Sequence, residues 1–346
     1  MLARITLTHP PEQAMKSFAL LLSLAAVGSA AAATAPTAMP HYAVLEHYPL
    51  GGSGGWDYLT IDPAAHHLLI ARNDRVMAVD TRNGKLAGEI PGMQHVHGIA
   101  LVQKLRHGYV SDGTANGVHV IDLDTLKDLR TIPVGGQGPD AIVFDPASGH
   151  VLTMNGHSGD ASVIDPASDK AIAEIALPGK PEFAVSDGRG HVYANIEDKS
   201  ELVRIDTKAN KADAVWKLAP CDSPSGLALD AQSRRLFSVC DNKLMVVTDA
   251  DDGHQVATVA IGDGPDAAGF DPSTRLAYSS NHDGTLTIVH EDDANHYSVV
   301  TNVPTQAGAR TMALDESTHR VWLVTAAPAP RHAPVKDFTA LVVGSH

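Results

Sequence analysis

Short apolar runs recur along the chain at a spacing of about forty-two residues. Each period holds four runs rich in valine, isoleucine, leucine and alanine, and Asp-Pro or Asn-Gly pairs interrupt them before a helix would nucleate. The pattern predicts short β-strands joined by tight turns. The clearest copies end in aspartates spaced 41 to 43 residues apart: Val76–Asp80, Val118–Asp122, Ala161–Asp165, Leu202–Asp206 and Met245–Asp249.

Four strands in a repeat of this length are typical of one blade of a β-propeller. First strands are counted seven times, at 57–61, 98–102, 141–144, 183–186, 226–229, 267–270 and 311–314. The sequence therefore predicts an all-β fold, a seven-bladed β-propeller with four-stranded antiparallel blades. The last repeat has no fourth strand after Thr339–Val343, and the run His41–Tyr48 belongs to no repeat. We expect this N-terminal strand to complete the last blade and close the ring, which removes an open sheet edge.

The N-terminal segment has the order of features of a secretory leader. Lys16 precedes the apolar stretch Phe18–Val27, which is too short to span a membrane, and small residues follow at Ala31–Ala33. This order predicts a signal peptide over residues 1–33, with Met15 as an alternative start, ahead of a single propeller domain over 34–346. A buried N-terminal helix is the alternative interpretation. No later stretch is apolar enough for a membrane span, so the expected location is periplasmic or secreted.

Composition and net charge limit the kinds of partner that this chain is expected to bind. The formal net charge is −14 and no run of Lys and Arg interrupts it, which disfavours nucleic acid. Aromatic residues make up only 5% of the chain, so the core must be aliphatic. A small molecule or a protein or peptide remains as the expected partner of a chain that we predict to be monomeric.

The chain has two cysteines, Cys221 and Cys240. In an exported protein such a pair tends to form a disulfide, and two unpaired buried thiols are the alternative. Cys221 lies just before the first strand of its repeat and Cys240 ends the second strand. Both residues should therefore lie at the same end of the blade, within bridging distance.

The turns that lead into the first strands carry a family resemblance. The chain resembles the YVTN-type seven-bladed propellers of exported bacterial proteins, and the resemblance covers nearly all of residues 34–346. It implies a propeller fold but no particular activity, because this fold hosts many functions. The motifs that carry it are Gly55-Trp56-Asp57-Tyr58, Val96-His97-Gly98, Gly138-Pro139-Asp140, Gly179-Lys180-Pro181-Glu182, Pro224-Ser225-Gly226 and Gly308-Ala309-Arg310.

First strands of a propeller line its central channel, so the residues at their starts surround one mouth of the channel. These residues are polar or charged but differ between repeats, whereas purely structural caps would repeat one residue type. Structural capping of turns is nevertheless the alternative interpretation. The candidate ligand-binding residues are Trp56, Asp57, His97, Asp140, Glu182, Ser225, Asp266 and Arg310, joined by Asn155 and Asn195 at the ends of second strands.

Three kinds of site fit these residues. The first, which we favour, is a binding platform where Trp56 and Tyr58 stack on a ligand, Arg310 holds an anionic group and the acids accept hydrogen bonds. The second is a metal-assisted hydrolase of the lactonase type, whose divalent cation would be bound by oxygen donors from Glu182, Asn155, Asn195 and Asp241. The third is a soft-metal site formed by His95, His97, His157 and His282. The sequence identifies no cofactor, no metal ligand set and no catalytic residue beyond these hypotheses.

Overall fold

Strands and tight turns account for nearly all secondary structure in the part of the chain that the structure, a computed structural model, describes: residues 40–327 and 336–346. The predicted signal peptide at 1–33 and the alternative start Met15 lie outside the described residues. Within the described ranges, no helix is both long and apolar enough to cross a membrane. Two short 3₁₀ helices, Gln103–Leu105 and Glu197–Lys199, follow strands in two of the repeats.

The described residues form 26 strands. The first thirteen are β1 (Tyr42–Pro49), β2 (Leu59–Asp62), β3 (His67–Asp80), β4 (Leu86–Val102), β5 (His107–Asp112), β6 (Gly117–Asp122), β7 (Lys127–Pro133), β8 (Pro139–Asp145), β9 (His150–Asn155), β10 (Asp160–Asp165), β11 (Lys170–Ala176), β12 (Pro181–Ser186) and β13 (His191–Ile196). The others are β14 (Glu201–Asp206), β15 (Lys211–Lys217), β16 (Pro224–Asp230), β17 (Arg235–Cys240), β18 (Leu244–Asp249), β19 (Gln255–Ala260), β20 (Pro265–Asp271), β21 (Leu276–Asn281), β22 (Thr285–Asp293), β23 (His296–Pro304), β24 (Thr311–Asp315), β25 (Arg320–Thr325) and β26 (Thr339–Ser345).

These strands form six antiparallel sheets among the described residues. Five sheets have four strands: β8 to β11, β12 to β15, β16 to β19, β20 to β23, and a last one in the order β1-β26-β25-β24. The remaining sheet has six strands, β2 to β7 in sequence order. The fold is thus an all-β propeller with four-stranded antiparallel blades, but the prediction of seven blades is wrong, because six sheets are present.

The sequence predicts a boundary between the first two blades that the structure does not show. The cause is the length of β3 and β4, which have 14 and 17 residues. The sequence predicts two strands within each of them, separated near Asn73 and after Ile90. In the structure the pairing continues across both places with only a shift in register, and Asn73 pairs with Val96. Because β4 pairs with β3 on one side and with β5 on the other, two predicted blades share one sheet.

β1 is the outer strand of the last sheet, where the sequence predicts the N-terminal run to lie. It pairs antiparallel with β26 from Tyr42 opposite Ser345 to Pro49 opposite Thr339. The Tyr48 ring stacks on Trp322 of β25 with 5.8 Å between the ring centroids. The N-terminal strand therefore joins the chain's last sheet by both backbone pairing and aromatic contact.

Aliphatic side chains pack between neighbouring sheets, as the low aromatic content predicts. Leu68 and Ile70 of β3, for example, pack with Trp322 and Val324 of β25 in one buried cluster. The inner strands β8, β12, β16, β20 and β24 contact one another in turn, β4 contacts β8, and β2 contacts β24. This closed circle of inner strands brings their starting residues around one channel mouth.

Candidate functional site

Five inner strands contain the same kind of break in strand pairing. In β8, Pro139 pairs with Asn155 and Ile142 pairs with Thr153, so Asp140 lies in a β-bulge between the two pairs. Equivalent shifts occur in β4 before Ile99 and at the starts of β12, β16 and β20. Bulges change the direction of a side chain and are frequent beside functional sites. Here they place one side chain per inner strand at the channel mouth.

Glycine permits the sharp approach to two of these bulges. Gly138 and Gly264, each directly before a proline, have φ angles of +65° and +62°. Side chains other than glycine are strained in this left-handed region. A Cβ atom on Gly138 would also lie only 2.5 Å from Nδ1 of His157. These two Gly-Pro pairs, of which Gly138-Pro139 is one of the sequence motifs, therefore set the backbone direction at the mouth.

The mouth encloses a cavity of about 620 Å³, a volume typical of small-molecule sites. Its lining comes from the starts of inner strands and from loops between second and third strands. Seven of the residues that the sequence predicts for the site line this cavity: Asp57, His97, Asp140, Glu182, Ser225, Asp266 and Arg310.

Trp56 does not line this main cavity. Its ring packs against Phe338, with ring centroids 5.3 Å apart, and contributes to the hydrophobic cluster between the first and last sheets. It also borders a much smaller pocket beside His95 and His97. The aromatic surface inside the main cavity comes instead from Tyr58 and Phe183, whose ring centroids are 5.2 Å apart.

Asn155 and Asn195 lie under the mouth and are fully buried. The side-chain amide of Asn155 donates to Asp160 Oδ1 at 2.6 Å and to Ser162 Oγ at 2.8 Å. The amide of Asn195 donates to the backbone carbonyl of Ser225 at 2.9 Å, which connects one sheet to the next. Neither asparagine lines the cavity that Glu182 and Asp241 line, so the structure does not assemble the oxygen-donor set that the hydrolase hypothesis requires.

The four histidines of the soft-metal hypothesis are also separated. His95 and His97 are in contact, with Nδ1 of His95 3.0 Å from Nε2 of His97. His282 lines the cavity at another part of its wall, whereas His157 does not line it. Only the His95–His97 pair is brought together.

Sequence reasoning missed part of the acidic lining. Glu197, Asp263 and Asp283 line the cavity together with Asp241. Glu197 and Asp283 follow second strands in segments that the sequence favours as ordinary turns. The signal available was their position: loops that follow second strands return to the same mouth as the starts of first strands.

Basic side chains neutralise only part of this acidity. Lys180 Nζ forms an ion pair with Glu197 and lies 3.2 Å from Glu182 Oε2. Arg310 Nε lies 3.3 Å from Asp266 Oδ2 while its side chain remains half exposed.

Burial and crowding shift the acids of the mouth toward neutrality. Burial, reinforced by the charge of Asp140, raises the pKa of Glu182 to about 7. Burial also raises the pKa of Asp140 to about 6, with Asp57 adding to the rise and His97 opposing it. The pKa of Asp266 is raised to about 6 by burial, despite the nearby Arg310. At neutral pH the site therefore holds carboxylates whose negative charge is poorly stabilised by the protein.

Asp57 and His97 form a close ion pair at the mouth, with 2.6 Å between Oδ2 and Nδ1. Burial lowers the pKa of His97, but the hydrogen bond to Asp57 and the charge of Asp140 outweigh it and raise the pKa overall. Asp57 accepts a hydrogen bond from Nδ1–H of His97. When His97 is neutral, its Nε2 therefore carries a lone pair and accepts a hydrogen bond from Nδ1–H of His95. The carboxylate thus orients the imidazole at the wall of the cavity.

The predicted disulfide between Cys221 and Cys240 is confirmed, with the two Cα atoms 5.4 Å apart. It connects the segment before β16 to the end of β17. Ser223 and Asp241, each within two residues of a bridged cysteine, line the cavity. The disulfide therefore fixes one part of the cavity wall.

Comparisons with known proteins define the fold but not a family. No protein-family model matches the chain, and no curated protein matches it. A solved structure of Kuenenia stuttgartiensis hydrazine synthase is similar at 17% identity and a TM-score of 0.68, covering 79% of this chain and 93% of that one. The WD40 repeats of RRP9 are similar at 11% identity and a TM-score of 0.74, covering 89% of this chain and 98% of that one.

A structure of U3-55K is similar to the same degree, with 11% identity, a TM-score of 0.73 and coverage of 89% of this chain and 99% of that one. Identities this low carry the architecture alone. The resemblance to YVTN-type propellers is not confirmed by a family match. The comparisons show that this chain has the β-propeller fold, and they assign it to no family.

Proposed function

We propose that the acidic mouth of the channel binds a small organic cation without transforming it. The observation that carries the proposal is an excess of negative charge in the lining of this open cavity. Among the described residues of the lining, Arg310 is the single Lys or Arg. It faces eight carboxylates: Asp57, Asp140, Glu182, Glu197, Asp241, Asp263, Asp266 and Asp283.

The raised pKa values of Asp140, Glu182 and Asp266 support a cationic ligand. A positive charge placed among these carboxylates relieves their mutual repulsion and favours their ionised forms. The faces of Tyr58 and Phe183 add an apolar surface on which an alkyl chain or a cationic group packs. A lysine side chain of a protein or peptide partner presents the same chemistry as a free amine.

Calorimetric titration with two probes of equal chain length tests the charge preference. We expect 1,4-diaminobutane to bind at pH 8 and succinate not to bind. Glu182→Gln should weaken diamine binding about tenfold, the effect of losing one charge-assisted contact. Asp252→Asn removes the same charge in a distant exposed hairpin and should leave the affinity unchanged. Binding of succinate, or an equal effect of the two substitutions, would contradict the proposal.

We propose further that the protein works in an oxidising compartment, the periplasm or the exterior of the cell. The disulfide supports this location, because such bonds persist outside the reducing cytosol. Thiol alkylation of intact producing cells, followed by mass spectrometry without reductant, measures the state of Cys221 and Cys240. Free, alkylated cysteines in the accumulated protein would contradict the proposed location.

A further inference from the structure

Three donor atoms from separate parts of the chain converge at one wall of the cavity. Asp57 lies just before β2, His97 lies in β4 and Asp140 lies at the start of β8. Nδ1 of His97 is 2.6 Å from Asp57 Oδ2 and 3.7 Å from Asp140 Oδ1. All three donor atoms lie within 4.8 Å of one another. Tetrahedral bonds of about 2.0 to 2.2 Å place donor atoms about 3.4 Å apart, so the Asp57–His97 contact lengthens and the Asp140–His97 contact shortens slightly when an ion binds.

The two carboxylates of this group lack the basic partners that their neighbours have. Glu182 has Lys180 and Asp266 has Arg310 within 4.0 Å. Among the described residues, no Lys or Arg lies within that distance of Asp57 or Asp140, and the two share only the imidazole of His97. Within the described part of the chain, no lysine or arginine side chain therefore balances the two carboxylates that approach one imidazole nitrogen.

The imidazole is held in position from its other side. Nε2 of His97 contacts His95, and the ring lies against the backbone of Gly113, where an added Cβ atom would be 2.9 Å from Nε2. Asp57, His97 and Asp140 all border the cavity, which leaves room for water or a ligand group beside them. The donors are therefore arranged before an ion arrives, and the positions facing the cavity remain open.

We propose that Asp57, His97 and Asp140 bind one divalent transition-metal ion through two carboxylate oxygens and Nδ1. The ion takes the place of the proton between Nδ1 and Asp57. From the protonated ring that proton leaves to solvent, while Nε2 keeps its own proton and donates it to Nδ1 of His95, so a neutral imidazole binds the ion. One imidazole with two carboxylates suits Mn²⁺, Fe²⁺, Co²⁺ or Zn²⁺ better than Ca²⁺ or Mg²⁺, which prefer oxygen donors alone. This inference goes beyond the proposed function, because a metal ion is not the organic cation proposed for the mouth, and each proposal can fail without the other.

Titration of the untagged, chelator-treated protein with Co²⁺ tests this site through visible absorption. We expect one Co²⁺ per chain and d–d bands that report imidazole coordination. His97→Gln and Asp140→Asn should each weaken binding at least about tenfold. His157→Gln, which alters an exposed histidine outside the cavity lining, should bind as the wild type does. Unchanged Co²⁺ affinity in His97→Gln and Asp140→Asn would overturn the proposal, as would Ca²⁺ binding equal to Co²⁺ binding.

A measurement on the wild-type protein covers the case in which a variant does not fold. Mn²⁺ should broaden the NMR signals of the His95 and His97 rings and leave those of His319, near the other ends of the inner strands, sharp. Equal broadening of all three would overturn the site.

The two proposals fail in different ways. Diamine binding without Co²⁺ binding would contradict the metal site and support the proposed function. Co²⁺ binding that depends on His97, without diamine binding, would support the metal site and contradict the proposed organic ligand.

Discussion

Aspartates at the two ends of the inner strands have opposite electrostatic settings. Asp62 ends β2, is fully buried and accepts hydrogen bonds from Arg106 Nη2 at 2.7 Å and Gln103 Nε2 at 2.9 Å. Burial raises the pKa of Asp62, but these hydrogen bonds outweigh it and hold the pKa below its usual value. Asp140 and Asp266, at strand starts, have raised pKa values. Ionised Asp62 therefore stabilises the fold, whereas ionised Asp140 and Asp266 destabilise it. Residues of functional sites commonly reduce stability in this way.

Removing one charge from the mouth should therefore stabilise the protein. The pKa of Glu182 is about 7 in the folded state against an ordinary 4.5, so the folded state binds more protons between these values and loses stability as pH rises. Glu182→Gln should raise the free energy of unfolding at pH 8 by about 1 to 3 kcal/mol, and by nearly nothing at pH 4.5. Urea unfolding at the two pH values measures the difference.

Asp62→Asn is the matched control, because it removes an acid whose hydrogen bonds stabilise the anion. It should lower the free energy of unfolding at pH 8 by about 1 to 3 kcal/mol. A loss of stability in Glu182→Gln similar to that in Asp62→Asn would mean that Glu182 is a structural cap, the alternative that the sequence leaves open.

At the residue scale, the sequence predicts the positions of the mouth residues but not their contacts. Asp140, Glu182 and Asp266 follow from the period, since each lies at the start of a first strand. The engagement of Asn195 with the Ser225 carbonyl is not predictable in this way, because it depends on the distance between two sheets. Periodicity locates a side chain along a strand, and packing decides what it touches.

At the scale of elements, strand positions are predicted well and sheet boundaries are not. The runs of the repeat reappear as strands, and the pairing of β1 with β26 follows from the unmatched N-terminal run. The predicted number of sheets is wrong because of β3 and β4, where strand pairing continues from one repeat into the next. Whether a ladder stops or continues depends on the relative twist of neighbouring segments, which a single strand's sequence does not encode.

The disulfide is the element-scale feature with the clearest energetic effect. It closes a loop between residues 19 apart in sequence, which stabilises the folded state by about 3 kcal/mol in the chain-entropy treatment. Replacing both cysteines by serine should lower the free energy of unfolding by that amount and weaken diamine binding, because Ser223 and Asp241 lose their fixed positions. Chemical unfolding and calorimetry measure both effects. The reduced wild type should match the double variant, and an unchanged stability in either would refute the expectation.

At the scale of the whole molecule, the mouth couples cation binding to pH. Protonation of Glu182 near pH 7, and of Asp140 and Asp266 near pH 6, removes the charges that attract a cation. Affinity for 1,4-diaminobutane should fall at least about tenfold between pH 8 and pH 6, because Glu182, with a pKa of about 7, is only about one-tenth ionised at pH 6. Calorimetry across this range measures the slope, and an affinity that rises on acidification would exclude carboxylate recognition.

The pairing of β1 with β26 has a consequence for the order of folding. His41 and His346, at the open end of this pair, are in contact although 305 residues separate them in sequence. Closing a loop of that length costs about 5 kcal/mol of chain entropy, whereas hairpins join most strands of the other sheets. We expect this pair to form last and to separate first when the protein is strained. A rearranged chain in which a short turn joins Ser345 to Tyr42, opened at another loop, would convert the same pair into a hairpin.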